Sequence, residues 1–270
     1  MAQQTFDPEE TAKADTPTPV VGRRHDVSTP WRRVWRYSAM PLFLIVIFAG
    51  LYVWVQGQEL DSITRRALTP GFLRSAVFSH LYLAGMSTLF VIALAIPTGI
   101  ACTRPGARRI RPFAIGLANM GQATPSIGLI TLIVLAAGTG PRGVIVGLVA
   151  YSFLPILRNT IAGLEAVEPA LIESARGMGM SRRAVLRRIE LPLAVPVMLA
   201  GIRVALILNV GTASLAFLFA AGGLGEVIFT GFQLRRLPVL VTGAVMASGL
   251  ALLIDYLAGV FEDLLKPKGL

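Results

Sequence analysis

Residues 37–55 run without a single charged group for close to the ~20 residues that a helix needs to cross a bilayer. Five more runs pass the same test, at residues 76–101, 112–138, 143–157, 193–221 and 237–258, the third of these five only marginally. Hydrocarbon offers the backbone no hydrogen-bonding partner, so repeated runs of this length dictate an all-α membrane protein of about six transmembrane helices. Composition agrees, with 54% of the 270 residues apolar. The single cysteine, Cys102, excludes an internal disulfide framework, and two distant histidines, His25 and His80, form no zinc-ligand cluster, so neither a metal nor a cofactor is expected. The net charge of +10 sits between apolar runs rather than on a folded polar face, which argues against nucleic acid.

Residues 1–36 are rich in Pro, Thr, Asp and Glu at their start and cannot bury enough surface to offset chain entropy, so they read as a disordered tail. The first membrane helix is expected over 37–58, with Trp31, Trp35, Tyr52 and Trp54 at the two interfaces. A signal peptide is the competing assignment, but the region before the run is long and no small-residue cleavage pattern follows it. Six spans place both ends on one side. That side then receives 18 of the 25 Lys and Arg residues, against six on the other (Arg65, Arg66, Arg74, Arg142, Arg235, Arg236), while Arg203 lies within a span. The positive-inside bias therefore puts both termini of this multi-pass membrane protein in the cytoplasm.

Inside the spans, Pro97, Pro125, Pro155 and Pro196 are expected to interrupt the helices, each removing a backbone hydrogen bond. Gly143 and Gly147, at GxxxG spacing, would allow close helix contact. Gln122, Thr124 and Pro125 set polar groups in the middle of the third span, and Asn209, Gly211 and Thr212 do so in the fifth. A solute path would need such groups; hydrogen bonding between helices would need them equally.

The most polar internal segment is ESARGMGMSRRAVLRRIELP, residues 173–192, on the cation-rich side. Glu168-Pro169 starts a helix with Leu171, Ile172 and Ala175 on one side, and Gly177 and Gly179 end it. Ser181 caps a second helix through Ile189, with Val185, Leu186 and Ile189 on one face, which Pro192 is expected to close. The product is a stiff elbow of two short helices between two spans.

Glu173, Ala175, Gly179, Ile189, Leu191 and Pro192 fall at the spacing of the EAA loop, and on these residues the chain resembles the permease subunits of type I ABC importers, with their MetI-like fold. Ser174 stands where that family has its second Ala. The resemblance implies that the loop, residues 158–192, docks into a groove on a separate ATPase subunit present in two copies. Glu173 would make polar contact there, Gly179 the turn, and Ala175 and Met178 would pack in the groove. Arg182, Arg183, Arg187 and Arg188 suit anionic lipid headgroups instead. Residues 119–130, 154–160 and 201–232 further resemble the glycine betaine, carnitine and choline (osmoprotectant) permeases, over residues 72–258, with 259–270 as a cytoplasmic end. That resemblance implies a compatible solute, a second permease subunit, identical or homologous, and a separate extracytoplasmic solute-binding protein. No Trp and Tyr cluster in the spans suggests an aromatic cage, and with the chain ending at Leu270 no fused binding domain is expected. Gly222, Gly223 and Gly225 read as a flexible turn at the outer mouth, beside Glu226.

An ABC permease for methionine or another amino acid is the alternative within the class. A secondary transporter would need intramembrane carboxylates, for which Asp255 and Glu226 are the candidates. The chain has no HExxH, GxSxG or GxxxxGK[ST], so it is expected not to be an enzyme and to depend on its partner for ATP hydrolysis.

Overall fold

The computed structural model describes residues 30–107 and 109–265, with side chains from residue 37 onward. The expected tail over 1–36 therefore lies outside the described residues apart from a helical backbone from Pro30, as do the side chains of Trp31 and Trp35, Lys266, Lys268 and the last five residues of the cytoplasmic end.

Every described element is helical. Helix α1 runs Pro30–Gln56 and a short α2 runs Ser62–Ala67. Asp61 caps α2, accepting the Thr64 N–H at 2.9 Å, and pairs with Arg236 at 2.6 Å. Hydrogen bonds from Thr64 and then the charge of Arg236 hold its carboxyl below the usual carboxylate range. Helix α3, Pro70–Cys102, opens with proline in its first turn, where no intrahelical donor is lost. At 1.5 Å per residue its 33 residues reach about 50 Å, well beyond the hydrocarbon thickness. After a 3₁₀ turn at Pro105–Ala107 come α4, Arg111–Ala123, and α5, Ser126–Ala137, then α6 at Pro141–Glu165.

Two short helices follow, α7 at Pro169–Gly177 and α8 at Arg182–Val185, joined through a π-helical turn, Leu186–Glu190, to α9 at Leu191–Thr212. The last turns of α9 tighten to 3₁₀ over Ala213–Phe219, and α10, Leu224–Gln233, leads to α11, Leu237–Leu265. Among the described residues five helices are long and apolar enough to cross a membrane, and six if α4 and α5 count as one span.

The marginal span proves to be the hub. Its helix is 25 residues long, and 61% of its apolar window is buried, against 6% for α1. Hydropathy stops at Arg158, but the helix does not: that guanidinium is exposed and donates to Asn119 Oδ1 on α4 at 2.8 Å. Around α6 lie Leu83 and Ala84 of α3, Ile130 and Val134 of α5 and Val210 of α9, with a second apolar cluster joining Val91 and Ala95 to Leu154, Ile156 and Ala205. The GxxxG pair does serve close packing. A Cβ on Gly147 would sit 3.2 Å from the Ile130 Cα, and one on Gly143 would meet the Gly138 carbonyl at 2.1 Å.

The proline expectation needs correction. Pro97, Pro155 and Pro196 lie inside continuous helices. Only Pro125 breaks its span, and there the two halves are bent by 107°. Pro155 and its neighbours are buried among α3 and α9, so packing holds the helix through the lost hydrogen bond.

Candidate functional site

The elbow forms as the residues dictate. Pro169 occupies the first turn of α7, and the helix ends in a Schellman arrangement: Gly179 N–H donates to the Arg176 carbonyl at 2.9 Å and Met180 N–H to the Ala175 carbonyl at 3.1 Å. Gly179 takes φ +84°, a left-handed conformation that only glycine adopts without strain. Ser181 then caps α8, its Oγ accepting the Ala184 N–H at 3.3 Å.

Of the residues assigned to this loop, Glu173, Ser174, Gly179 and Pro192 are exposed, Ile189 and Leu191 are half-buried, and Met178 is 77% exposed. Ala175 is not available to a partner, being 1% exposed. Of the two residues assigned to the groove, that leaves Met178 as the apolar group that a docking partner could cover.

The second arm is not closed by Pro192. It continues without interruption into α9, so that one helical rod runs from Arg182 to Phe219 over 38 residues. The π-turn makes this possible. Leu191 N–H reaches back five residues to the Leu186 carbonyl, and such widening moves the carbonyl four residues back out of the way of a proline ring. At the same turn the Glu190 carboxylate is buried and receives both terminal nitrogens of Arg104, one at 3.3 Å. A second bidentate pair, Arg111 with Glu165, ties the start of α4 to the end of α6. Sequence reasoning missed Glu190. The signal was present: it is the one acid among the five arginines between residues 174 and 192.

The proposed path residues fall in two places. Thr124 Oγ1 donates to the Met120 carbonyl at 2.7 Å and lines a groove of about 600 Å³ with Thr98, Phe113, Leu117, Met120 and Phe153. Gln122 is half-buried and Pro125 exposed at the bend. Asn209, by contrast, is fully buried, and its amide donates to Thr88 Oγ1 on α3 at 3.0 Å, an interhelical hydrogen bond. Two residues further on, Gly211 is exposed and Thr212 half-buried, so the α9 set points in more than one direction.

The Gly222-Gly223-Gly225 turn is packed, not flexible. Gly223, Leu224 and Gly225 are buried, and a Cβ on Gly225 would lie 1.7 Å from the Ser214 carbonyl. His80, which sequence reasoning used only to exclude zinc, holds this turn. Its Nε2 lies 2.9 Å from the Val210 carbonyl and its Nδ1 accepts the Leu224 N–H at 3.3 Å. One neutral tautomer, with the proton on Nε2, satisfies both bonds and ties α3, α9 and α10 together.

Intramembrane charge is also accounted for. Arg203 Nε donates to Asp255 Oδ1 at 2.7 Å and its Nη1 lies 3.6 Å from Glu262 Oε2, so Asp255 is engaged in an ion pair between α9 and α11.

Residues 95–268 match the family model of the binding-protein-dependent transport system inner membrane component. The chain belongs to this family. Among curated relatives, the permease is 40% identical over 225 residues to the osmoprotectant import permease protein OsmY of Salmonella typhimurium, covering 83% of this chain and 94% of that one. It is 40% identical over 193 residues to the glycine betaine/carnitine/choline transport system permease protein OpuCB of Bacillus subtilis, covering 71% and 87%. Its fold is similar to a chain of the MetNI methionine ABC transporter solved in inward-facing form, with a TM-score of 0.65 at 24% identity over 73% of the permease and 98% of that chain. A bacterial alginate ABC transporter chain gives 0.62 at 18% identity, covering 88% and 98%. The permease is thus a multi-pass inner-membrane subunit of MetI-type fold, and ATP hydrolysis belongs to a separate subunit.

Proposed function

We propose that this permease forms half of the membrane path of an ATP-driven importer for osmoprotectants such as glycine betaine, carnitine and choline. The substrate class rests on the relatives at 40% identity that bear those names. Residues 72–258 make up the transporting domain, and the elbow within 158–192 is the cytoplasmic handle on which a pair of ATPase subunits acts. Both termini then lie in the cytoplasm. The partners are that ATPase pair, an extracytoplasmic solute-binding protein and a second permease, identical or homologous.

One observation carries the mechanism: the rod from Arg182 to Phe219 has no break. Closure of the ATPase pair presses on α7 through Glu173 and Met178, the elbow passes the motion into α8, and the rod delivers it to Gly211 and Thr212 at its far end. Val204, Ile207 and Gly211 share one exposed face of α9. That face meets the second permease or the solute path. The 107° bend at Thr124-Pro125 places the half-buried Gln122 and Thr124 where α4 and α5 part, a break of the kind that lines a path.

Reconstitution with the ATPase and binding protein tests this. Uptake of labelled glycine betaine, carnitine or choline is expected, falling more than tenfold in Glu173→Ala and Gly179→Pro with solute-binding-protein docking retained. Parental uptake in both variants would remove the coupling role, and uptake of methionine with none of the quaternary amines would remove the substrate class. A cysteine at Ser181 should be labelled only from the cytoplasmic side; labelling from outside reverses the orientation.

A further inference from the structure

Helix α1 touches α11 where the Phe48 ring lies against Gly249, so closely that a Cβ there would come within 2.6 Å of the ring. Beyond that contact, toward Gln56, a cleft of about 590 Å³ opens between α1, the α2–α3 corner and α11. Its polarity is graded. Phe48, Leu51, Leu73 and Met246 line it along the three membrane-crossing helices, whereas Gln56 and Arg65 stand at the end where α1 stops and α3 begins. Phe48 and Gln56 are eight positions apart, so the cleft reaches about 12 Å along α1 from interface toward hydrocarbon.

The charge at its mouth is unbalanced. Two acids stand near it: Asp61 is committed to the α2 cap and to Arg236, and the exposed Glu59 is outnumbered by Arg65, Arg66 and Arg74. Arg65 is exposed and has no carboxylate partner among the described residues; its Nε is held by the Leu60 carbonyl at 3.1 Å, which orients the guanidinium and leaves its two terminal amino groups free. Arg66 and Arg74, also exposed, add to the same positive end.

We propose that this cleft is a binding site for one anionic phospholipid, an acyl chain lying between α1 and α3 and the phosphate on Arg65. The flanking helices cross the membrane, so hydrocarbon is the medium that reaches the cleft, and the arginines select a negative headgroup within it. A quaternary ammonium solute carries the wrong charge for this mouth. The site is remote from the elbow in sequence and does not depend on the solute transported.

Native mass spectrometry of the full-length permease, released from vesicles of phosphatidylcholine containing phosphatidylglycerol, reads the site directly. The parent should retain one phosphatidylglycerol per chain in preference to phosphatidylcholine. Arg65→Gln should lower that preference about fivefold, Leu73→Trp should expel the lipid by filling the cleft, and Arg142→Gln, an exposed arginine elsewhere, should do neither. Gel filtration confirms that each variant is folded. Equal retention of the two lipids by the parent, or unchanged retention in Arg65→Gln, overturns the proposal; so does displacement of the lipid by choline, which would make the cleft a solute site.

Discussion

Pro125 and Pro192 each follow a polar stretch in sequence, yet the chain turns through 107° at the first and continues as one helix through the second. The difference lies in the residue before each. Thr124 is extended, at φ −72° and ψ 137°, the conformation a following proline ring favours. Leu191 is helical, at φ −63° and ψ −50°, against the same preference. Something must hold Leu191 there. The π-turn relieves the ring, and the Arg104–Glu190 pair beside it pins the chain to the end of α3. At Pro125 no such brace stands and the chain bends; at Pro192 one does, and the chain runs on as a lever. The bend suits an opening in a helix wall, and the lever suits transmission of force.

Breaking the brace should have the largest effect. Removing one member of a buried ion pair costs about 3–5 kcal/mol; because the Arg104 side chain is 35% exposed, Glu190→Ala should cost about 2 kcal/mol. It should also lower solute uptake about tenfold, because the rod loses its fixed end. Thermal unfolding in detergent and vesicle uptake measure the two, and the charge exchange Arg104→Glu with Glu190→Arg should recover part of both. An unchanged melting temperature would mean that the pair is ornamental.

Pro192→Ala separates stability from coupling. With the ring gone, the π-turn is free to relax to an α-turn, which adds helix propensity but rotates the elbow by about 100° about the α9 axis. Uptake should fall several-fold while the melting temperature holds or rises, an opposition that simple damage to the fold cannot produce. Pro125→Ala, by contrast, should keep its bend, because each half packs on α6: a Cβ on Gly121 would be 2.7 Å from the Ala150 carbonyl, and Gly147 lies against Ile130. Spin labels at the exposed positions 113 and 135 should report a distance unchanged from the parent, with a stability change under about 1 kcal/mol. A longer distance would show that the proline alone makes the bend.

These two prolines also mark how far the sequence could be read. Spans, the elbow, its Gly179 turn and its Ser181 cap were legible because each depends on neighbours within a few residues. The continuity at Pro192 was not, since it rests on Arg104, 86 residues away from Glu190 in the chain. The same holds for the glycine turn at 222–225, whose rigidity comes from Ser214 and His80. The hub helix was undervalued because hydropathy counts Arg158 as an end, whereas its guanidinium leaves the core to bond Asn119. For the path residues, composition could not distinguish a polar group facing solute from one facing another helix.

The smallest expected effect addresses that ambiguity at Asn209. Its amide donates to Thr88, whose hydroxyl in turn donates to the Ala84 carbonyl at 2.8 Å, while its own Oδ1 is buried without a partner. Hydrogen bonds between membrane helices average about 0.6 kcal/mol, so Thr88→Val and Asn209→Leu should each cost about that much, and the double variant little more than either alone. If Asn209 serves only this contact, labelled-solute uptake should follow the small stability loss in both single variants. A fall in uptake confined to Asn209→Leu, with Thr88→Val transporting normally at the same stability, would instead mean that the side chain turns toward solute in another stage of the cycle. The lever from Arg182 to Phe219 carries Asn209 within it, so rotation of that rod is the motion that would expose Oδ1, and the two variants distinguish a residue that rides the lever from one that also meets the cargo.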